Sequence, residues 1–170
     1  MYIKVVCKIR VMDNKLKEYL DKNSVNYVLH RHSAVFTVAE SSGNEEINKI
    51  PGLRCKTLFL KDESGIFYLV GMPGAKRLDI KKLEKHLSVK KLRFASEEEL
   101  EREIKLKAGS VSIFGAVNSS KVTLILDKEV WFAITVCFHP NINTETLEIK
   151  HENLERYYRS LVNRKEIIEL

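Results

Sequence analysis

A lysine stands at the head of an apolar run: Arg54-Cys55-Lys56-Thr57-Leu58-Phe59-Leu60-Lys61-Asp62, then Glu63-Ser64-Gly65, then Ile66 to Val70. The pattern predicts a strand, a turn at Ser64-Gly65 and a second strand, a β-hairpin. Solvated lysines far outnumber catalytic ones, so by spacing alone Lys56 reads as a strand-end cation with its ammonium in water. Placed against apolar neighbours, the same ammonium could hold a phosphate or polarise a carbonyl oxygen. Two later stretches carry groups that could join it. Gly109-Ser110-Val111-Ser112-Ile113-Phe114-Gly115 is a small-residue loop rich in backbone donors, the kind of group that stabilises a developing oxyanion. Phe138-His139-Pro140-Asn141-Ile142-Asn143-Thr144 places a histidine and two amides just after the apolar run Ala133 to Phe138.

The usual nucleophile signatures are missing. There is no G-x-S-x-G elbow and no cysteine in a recognisable nucleophile motif. His30 and His32 lie two apart, on one face if that stretch is a strand. No third ligand accompanies them at a compatible spacing, so they read as surface or pocket-rim histidines, and no metal is expected. No G-x-G-x-x-G or P-loop appears, and no cofactor is expected. A cation, a donor-rich loop, a histidine and amides suit a site that holds an ester while water attacks it.

Four segments in order resemble the YbaK/ProX family of prolyl-tRNA editing domains: K-x-L-F-L-K-D at Lys56, L-R-F-A-S-x-E at Leu92, G-S-V-S-x-F at Gly109 and F-H-P-x-x-N-T at Phe138. The resemblance runs over roughly residues 25–150 and is strongest to the free-standing ProXp-ala type, which removes alanine from tRNA(Pro). It implies a mixed β-barrel flanked by helices and a cytoplasmic, translation-fidelity hydrolase with an aminoacyl-tRNA substrate, with prolyl-tRNA synthetase as a further partner. By position it implies Lys56 and Gly109 as catalytic and Thr57, Ser110, His139 and Asn143 as substrate-binding. In this family the substrate's own ribose hydroxyl helps to activate water. His139 falls where the family shapes the amino-acid pocket. Ile113 stands where the family commonly has proline, and Thr57 where ProXp-ala has asparagine. Serine or threonine therefore remains open as the amino acid removed, as does a non-catalytic tRNA- or synthetase-binding module.

The chain that must position these groups has 170 residues, is 44% hydrophobic and 31% charged, and carries a net charge of +6. That is one domain of ordinary globular composition, residues 1–170, with a modest excess of positive charge that suits an anionic partner. No apolar run approaches the ~20 residues of a membrane span. With no signal-peptide core either, a cytoplasmic protein is expected. The cysteines Cys7, Cys55 and Cys137 are widely spaced, as for reduced thiols.

Ile3 to Val11 alternates as an N-terminal strand outside the family resemblance, and Met12 offers an alternative start for a shorter product. Asp13 caps a helix through Leu16, Tyr19 and Leu20. Val25 to His30 reads as a strand, and Thr37-x-x-Glu40 as a capping box opening a helix to Asn48. After the hairpin, Asp79 caps a helix over Ile80 to Leu87 whose outer face carries Lys81, Lys82 and Lys85. These lysines read either as a solvated face or as tRNA phosphate contacts. A strand over Val89 to Phe94, a capping box at Ser96-x-x-Glu99 and a strand over Val122 to Leu126 follow. Beyond them come a buried strand from Val130 to Phe138, a short one from Thr146 to Ile149, and a last helix from Glu152 to Asn163. About nine strands with four or five helices make a single α/β domain with a mixed, strongly curved sheet or barrel.

Overall fold

The computed structural model describes residues 11–36 and 38–170. The strand expected over 3–11 lies, except for Val11, outside the described residues, as does Thr37 of the first capping box. In chain order the elements are α1 (Asn14–Lys22), β1 (Val28–Arg31), α2 (Val38–Gly43), α3 (Glu45–Asn48), β2 (Leu53–Lys61), β3 (Phe67–Pro73), α4 (Ile80–Leu87), β4 (Arg93–Phe94) and α5 (Glu97–Ile104). A 3-10 helix (Ile113–Asn118) follows, then β5 (Thr123–Asp127), α6 (Lys128–Phe132), β6 (Thr135–Phe138), β7 (Glu145–Lys150), α7 (His151–Ser160) and β8 (Lys165–Ile168).

The strands form one mixed sheet in the order β1-β7-β6-β2-β3-β5-β8, with β4 on the side of β2. Pairs β2/β6, β3/β5 and β5/β8 are parallel and the others antiparallel. Strand β3 is buried along its whole length because both faces of the sheet are covered. Phe67 and Leu69 join the larger core with α1, α5 and α7, while Tyr68 and Val70 join a smaller one with Leu83 of α4. This is the α/β domain with helices flanking a mixed sheet that the sequence pattern predicts.

Local chemistry sets the ends of the helices. Asp13 accepts from Leu16 N at 2.8 Å and Asp79 from Lys82 N at 3.0 Å. Ser96 and Glu99 make both bonds of a capping box. The helix expected to reach Asn48 is instead broken at Asn44, whose side chain caps a new one by accepting from Glu46 and Ile47.

Three further expectations fail in physically informative ways. The buried strand from Val130 to Phe138 is half helix. Asp127 accepts from Glu129 N at 2.8 Å and starts α6, which buries Val130 but leaves Phe132 72% exposed, and Ile134 just beyond it is 87% exposed. Only Thr135–Phe138 pairs as a strand. The strand over Val89 to Phe94 shrinks to Arg93 and Phe94. The last helix ends at Ser160, and Lys165–Ile168 returns as β8 beside β5.

The 3-10 helix after Gly109 is held from beneath. Tyr157 of α7 is fully buried, its ring lies 4.9 Å from that of Phe114, and its hydroxyl donates to Ile113 O at 2.8 Å. Ile113, at the family's proline position, is thereby fixed by a side-chain clamp rather than by a ring constraint. Tyr157→Phe keeps the packing but removes the hydroxyl's bond to the Ile113 carbonyl, which retains its place in the 3-10 helix. It should lower the unfolding free energy by ~0.5–1.5 kcal/mol in urea titration, and an unchanged midpoint would show that the bond contributes nothing.

Candidate active site

Strands β2 and β6 pair for only two residues, Leu53 with Val136 and Arg54 with Cys137, and then separate. From β2 the chain turns to β3 on one side, and from β6 to β7 on the other. Such a divergence beyond the carboxyl ends of parallel strands leaves a crevice. Here it is a cavity of about 710 Å³, lined by Lys56, Thr57, Gly109, Val111, His139 and Phe36 among others.

The register explains why Lys56 and His139 meet there. Arg54 and Cys137 are partners and share a face of the sheet. Lys56 and His139 each lie two residues further on, so the alternation returns both to that face, on opposite banks of the gap. Thr57 points to the other face, opposite Gly71. Gly74 N donates to Arg54 O at 2.8 Å and Ala95 N to Phe59 O at 3.0 Å. Even-numbered residues of β2 therefore turn their main-chain groups to β3, and odd-numbered ones turn away from it. The N–H and C=O of Thr57 consequently face the gap between β6 and β4. Its hydroxyl is buried with no hydrogen-bond partner.

Lys56 is held rather than solvated. Its ammonium donates to Gly74 O at 3.0 Å and to Lys76 O. An ammonium has three donors, so one is left for the cleft. Burial lowers its pKa from the ordinary lysine value. His139 is also perturbed. Burial first, then the neighbouring His32, pulls its pKa down to about 4. The two rings lie 5.8 Å apart. His32 is itself buried, donating from Nδ1 to Ser33 O at 2.8 Å and meeting Thr146 Oγ1 at 2.9 Å through Nε2. It buttresses the site from behind, while His30 pairs with Glu148 at 2.8 Å.

Gly109 has φ +81°, and a Cβ there would come within 3.0 Å of the Phe36 ring, so glycine is required twice over. The loop's donors divide. Ser110 N is spent on Lys107 O at 3.0 Å and Gly115 N on Ser112 O at 3.0 Å. The amides of Gly109 and Val111 make no hydrogen bond among the described residues. Both of those residues line the cavity, and Ser110 does not.

Asn143 is likewise outside the lining, and its carbonyl accepts from Val35 N at 3.1 Å, tying the two loops together. Lys81, Lys82 and Lys85 lie on α4, away from the cleft. Lys81 pairs with Glu84 at 2.9 Å, and Lys82 and Lys85 border a separate groove beside β8. The sequence reading missed Phe36 and Val111, which no spacing singles out. Cys55 and Cys137 line the cavity as free thiols. Burial pushes the pKa of Cys55 well up and that of Cys137 to about 12, so neither supplies a thiolate near neutral pH.

The sequence model of the aminoacyl-tRNA editing domain matches residues 32–157, a span that holds every residue of the cavity. The chain belongs to that family. This editing domain is 34% identical over 154 residues to the prolyl-tRNA editing protein ProX of Acetoanaerobium sticklandii, covering 89% of this chain and 93% of that protein. It is 27% identical over 147 residues to the prolyl-tRNA synthetase associated domain-containing protein 1 of Danio rerio, covering 84% and 79%. Its fold matches the crystal structure of the hypothetical protein APE2540 with TM-score 0.74 at 20% identity, covering 92% of this chain and 98% of the other. A second crystal structure, of a candidate trans-editing enzyme for prolyl tRNA synthetase, matches with TM-score 0.69 at 18% identity, covering 94% and 98%. The editing domain is thus of the YbaK/ProX type, related to prolyl-tRNA editing enzymes. Among the described residues no helix is long and apolar enough to cross a membrane.

The lowered pKa of the half-buried His139 has a consequence for stability. Unfolding returns His139 from about 4 to the ordinary 6.5, so between those values the unfolded chain binds a proton that the folded chain does not. The stability from keeping His139 neutral is present above pH 6.5 and is lost as the pH falls towards 4. His139→Gln should flatten the decline of the urea midpoint between pH 6.5 and pH 4.5. The same slope in both proteins would mean that His139 titrates as an exposed group.

Proposed function

We propose that residues 1–170 form a trans-editing aminoacyl-tRNA deacylase that hydrolyses the ester of alanyl-tRNA(Pro). The observation that supports this reading is the gap between β2 and β6, a single cavity lined by Lys56, His139, Gly109 and Val111. Lys56 offers its one remaining donor to the ester carbonyl or the terminal phosphate. The loop amides stabilise the oxyanion as it forms. With both cleft thiols held protonated, water is the nucleophile that fits, assisted by the ribose hydroxyl of the substrate. His139, with its lowered pKa, is a poor proton acceptor near neutral pH and is assigned to shaping the amino-acid pocket. Lys81, Lys82 and Lys85 are assigned to tRNA phosphates beyond the acceptor end.

An editor of this kind has a physical reason to exist. A synthetase pocket sized for proline rejects the smaller alanine weakly, because each missing methylene is worth only ~1–3 kcal/mol. A second site that admits the small side chain supplies the rest.

Deacylation of alanyl-, seryl-, threonyl- and prolyl-tRNA(Pro) tests the reading, with alanine expected to be released fastest. Lys56→Ala should slow that release by at least ~100-fold, about 2.7 kcal/mol of transition-state stabilisation, with the fold kept. Near-normal turnover by a folded variant would remove Lys56 from the mechanism.

Thr57 favours a second reading, removal of serine or threonine, because its buried hydroxyl has no partner and could take one from the substrate. Thr57→Asn distinguishes the two. Alanine release should survive the substitution, whereas a seryl or threonyl activity would fall. If neither ratio changes, Thr57 does not meet the substrate.

A further inference from the structure

Three strands place Lys56, Met72 and Asp127 side by side. Lys56 pairs with Met72 across β2/β3, and Gly71 pairs with Leu126 across β3/β5, so Asp127 ends β5 one residue on, beside Met72. The chain leaves β3 at Pro73 and folds back through a turn in which Lys76 N donates to Pro73 O at 3.1 Å. Lys76 then reaches across the row in both directions. Its carbonyl accepts from the Lys56 ammonium, and its own ammonium lies 2.9 Å from Asp127 Oδ2 and 2.6 Å from Glu129 Oε1.

Asp127 is completely buried. A carboxylate there must be paired, and its other oxygen is already spent on the α6 amide of Glu129 at 2.8 Å. Lys76 is thus held to the buried end of the sheet by a charge the fold cannot leave alone. The loop it anchors, Gly74 to Lys76, presents the two carbonyls that take two of the three Lys56 donors.

We propose that Lys76 and Asp127 are positioning residues for Lys56, their ion pair pinning the loop after β3 so that its carbonyls aim the remaining Lys56 donor into the cleft. The inference rests on the reading of Lys56 as the residue that engages the ester, and it adds the device that orients it. Neither Lys76 nor Asp127 lines the cavity, but Pro73, Gly74 and Ala75 of the same turn do, so an influence through Lys56 has to be separated from one through the loop's own contact with the cleft. An ion pair that served only the fold would support stability and leave the aim of Lys56 untouched.

A mutant cycle separates these roles. Lys76→Met should slow single-turnover deacylation ~10-fold in the otherwise native chain, and by less than ~2-fold when added to Lys56→Ala. Removing the charge with its partner, in Lys76→Met/Asp127→Asn, should reproduce the ~10-fold deficit without leaving a buried carboxylate unpaired. A full ~10-fold loss on top of Lys56→Ala, or a native rate in either Lys76 variant, would overturn the proposal. If the native protein releases no amino acid from any of the four charged tRNAs, the reading of the cleft fails instead. The clamp is then read from the Lys56 13Cε resonance, which should move in Lys76→Met, and a resonance left in place would refute it.

Discussion

The site depends on a pairing that stops. Two parallel strands at the middle of the sheet hold together through Leu53 and Val136 and through Arg54 and Cys137, and then part. Had the ladder continued, Lys56 and His139 would be neighbours on a covered sheet and the main-chain groups of Thr57 would be bonded to β6. Because it stops, those groups face a cavity. On the far side β4 resumes the pairing only at Leu60, after Ala95 N has closed on Phe59 O. The opening is therefore bounded at both ends by ordinary hydrogen bonds. A strand edge left unpaired inside a fold is costly, which makes this short interruption a feature to be explained by what enters it.

Burial then sets the chemistry of what lines the opening. The same loss of water that lowers the pKa values of Lys56 and His139 raises those of the two cysteine thiols. The result is a site lined by donors and by the tethered cations of Lys56 and Arg54, with both of its thiols held protonated. Under the proposed reading, such a site binds and polarises the ester and leaves the attack to water. The tether also keeps Lys56 from wandering, since a long flexible side chain would otherwise lose entropy each time it met a substrate.

Much of this was legible in residue types. The capping residues Asp13, Asp79 and Ser96 and the hairpin around Ser64-Gly65 announce themselves by local chemistry, which acts over three or four residues. The segments at Lys56, Gly109 and His139 instead stand out through their resemblance to the editing family, since by spacing alone Lys56 reads as a solvated strand-end cation. What could not be read depends on contacts across the chain. The run from Val130 to Phe138 is apolar throughout, and only Asp127 acting as a helix cap turns its first half into α6. Phe36 matters because it packs on Gly109, and Tyr157 because it bonds Ile113, partners 73 and 44 positions away. Ser110 and Asn143 follow the motif but not the cavity, one amide spent on a turn and one carbonyl on the loop of Val35. Lys76 carries no pattern at all, and its role emerges only when β3 and β5 bring Asp127 beside it.

The proposal that the ester of a charged tRNA end lies in the gap between β2 and β6, held by Lys56 through its carbonyl oxygen or the terminal phosphate, is the one on which the rest turns. The most direct measurement is a crystal structure with a non-hydrolysable analogue, the amide that joins alanine to the 3′ position of adenosine 5′-phosphate. The account predicts the analogue's carbonyl oxygen or its phosphate within hydrogen-bond reach of Lys56 Nζ, with the Gly74 carbonyl still holding the ammonium and the alanine methyl towards His139. An analogue bound elsewhere, or bound in the cleft with Lys56 turned away from it, would contradict the account.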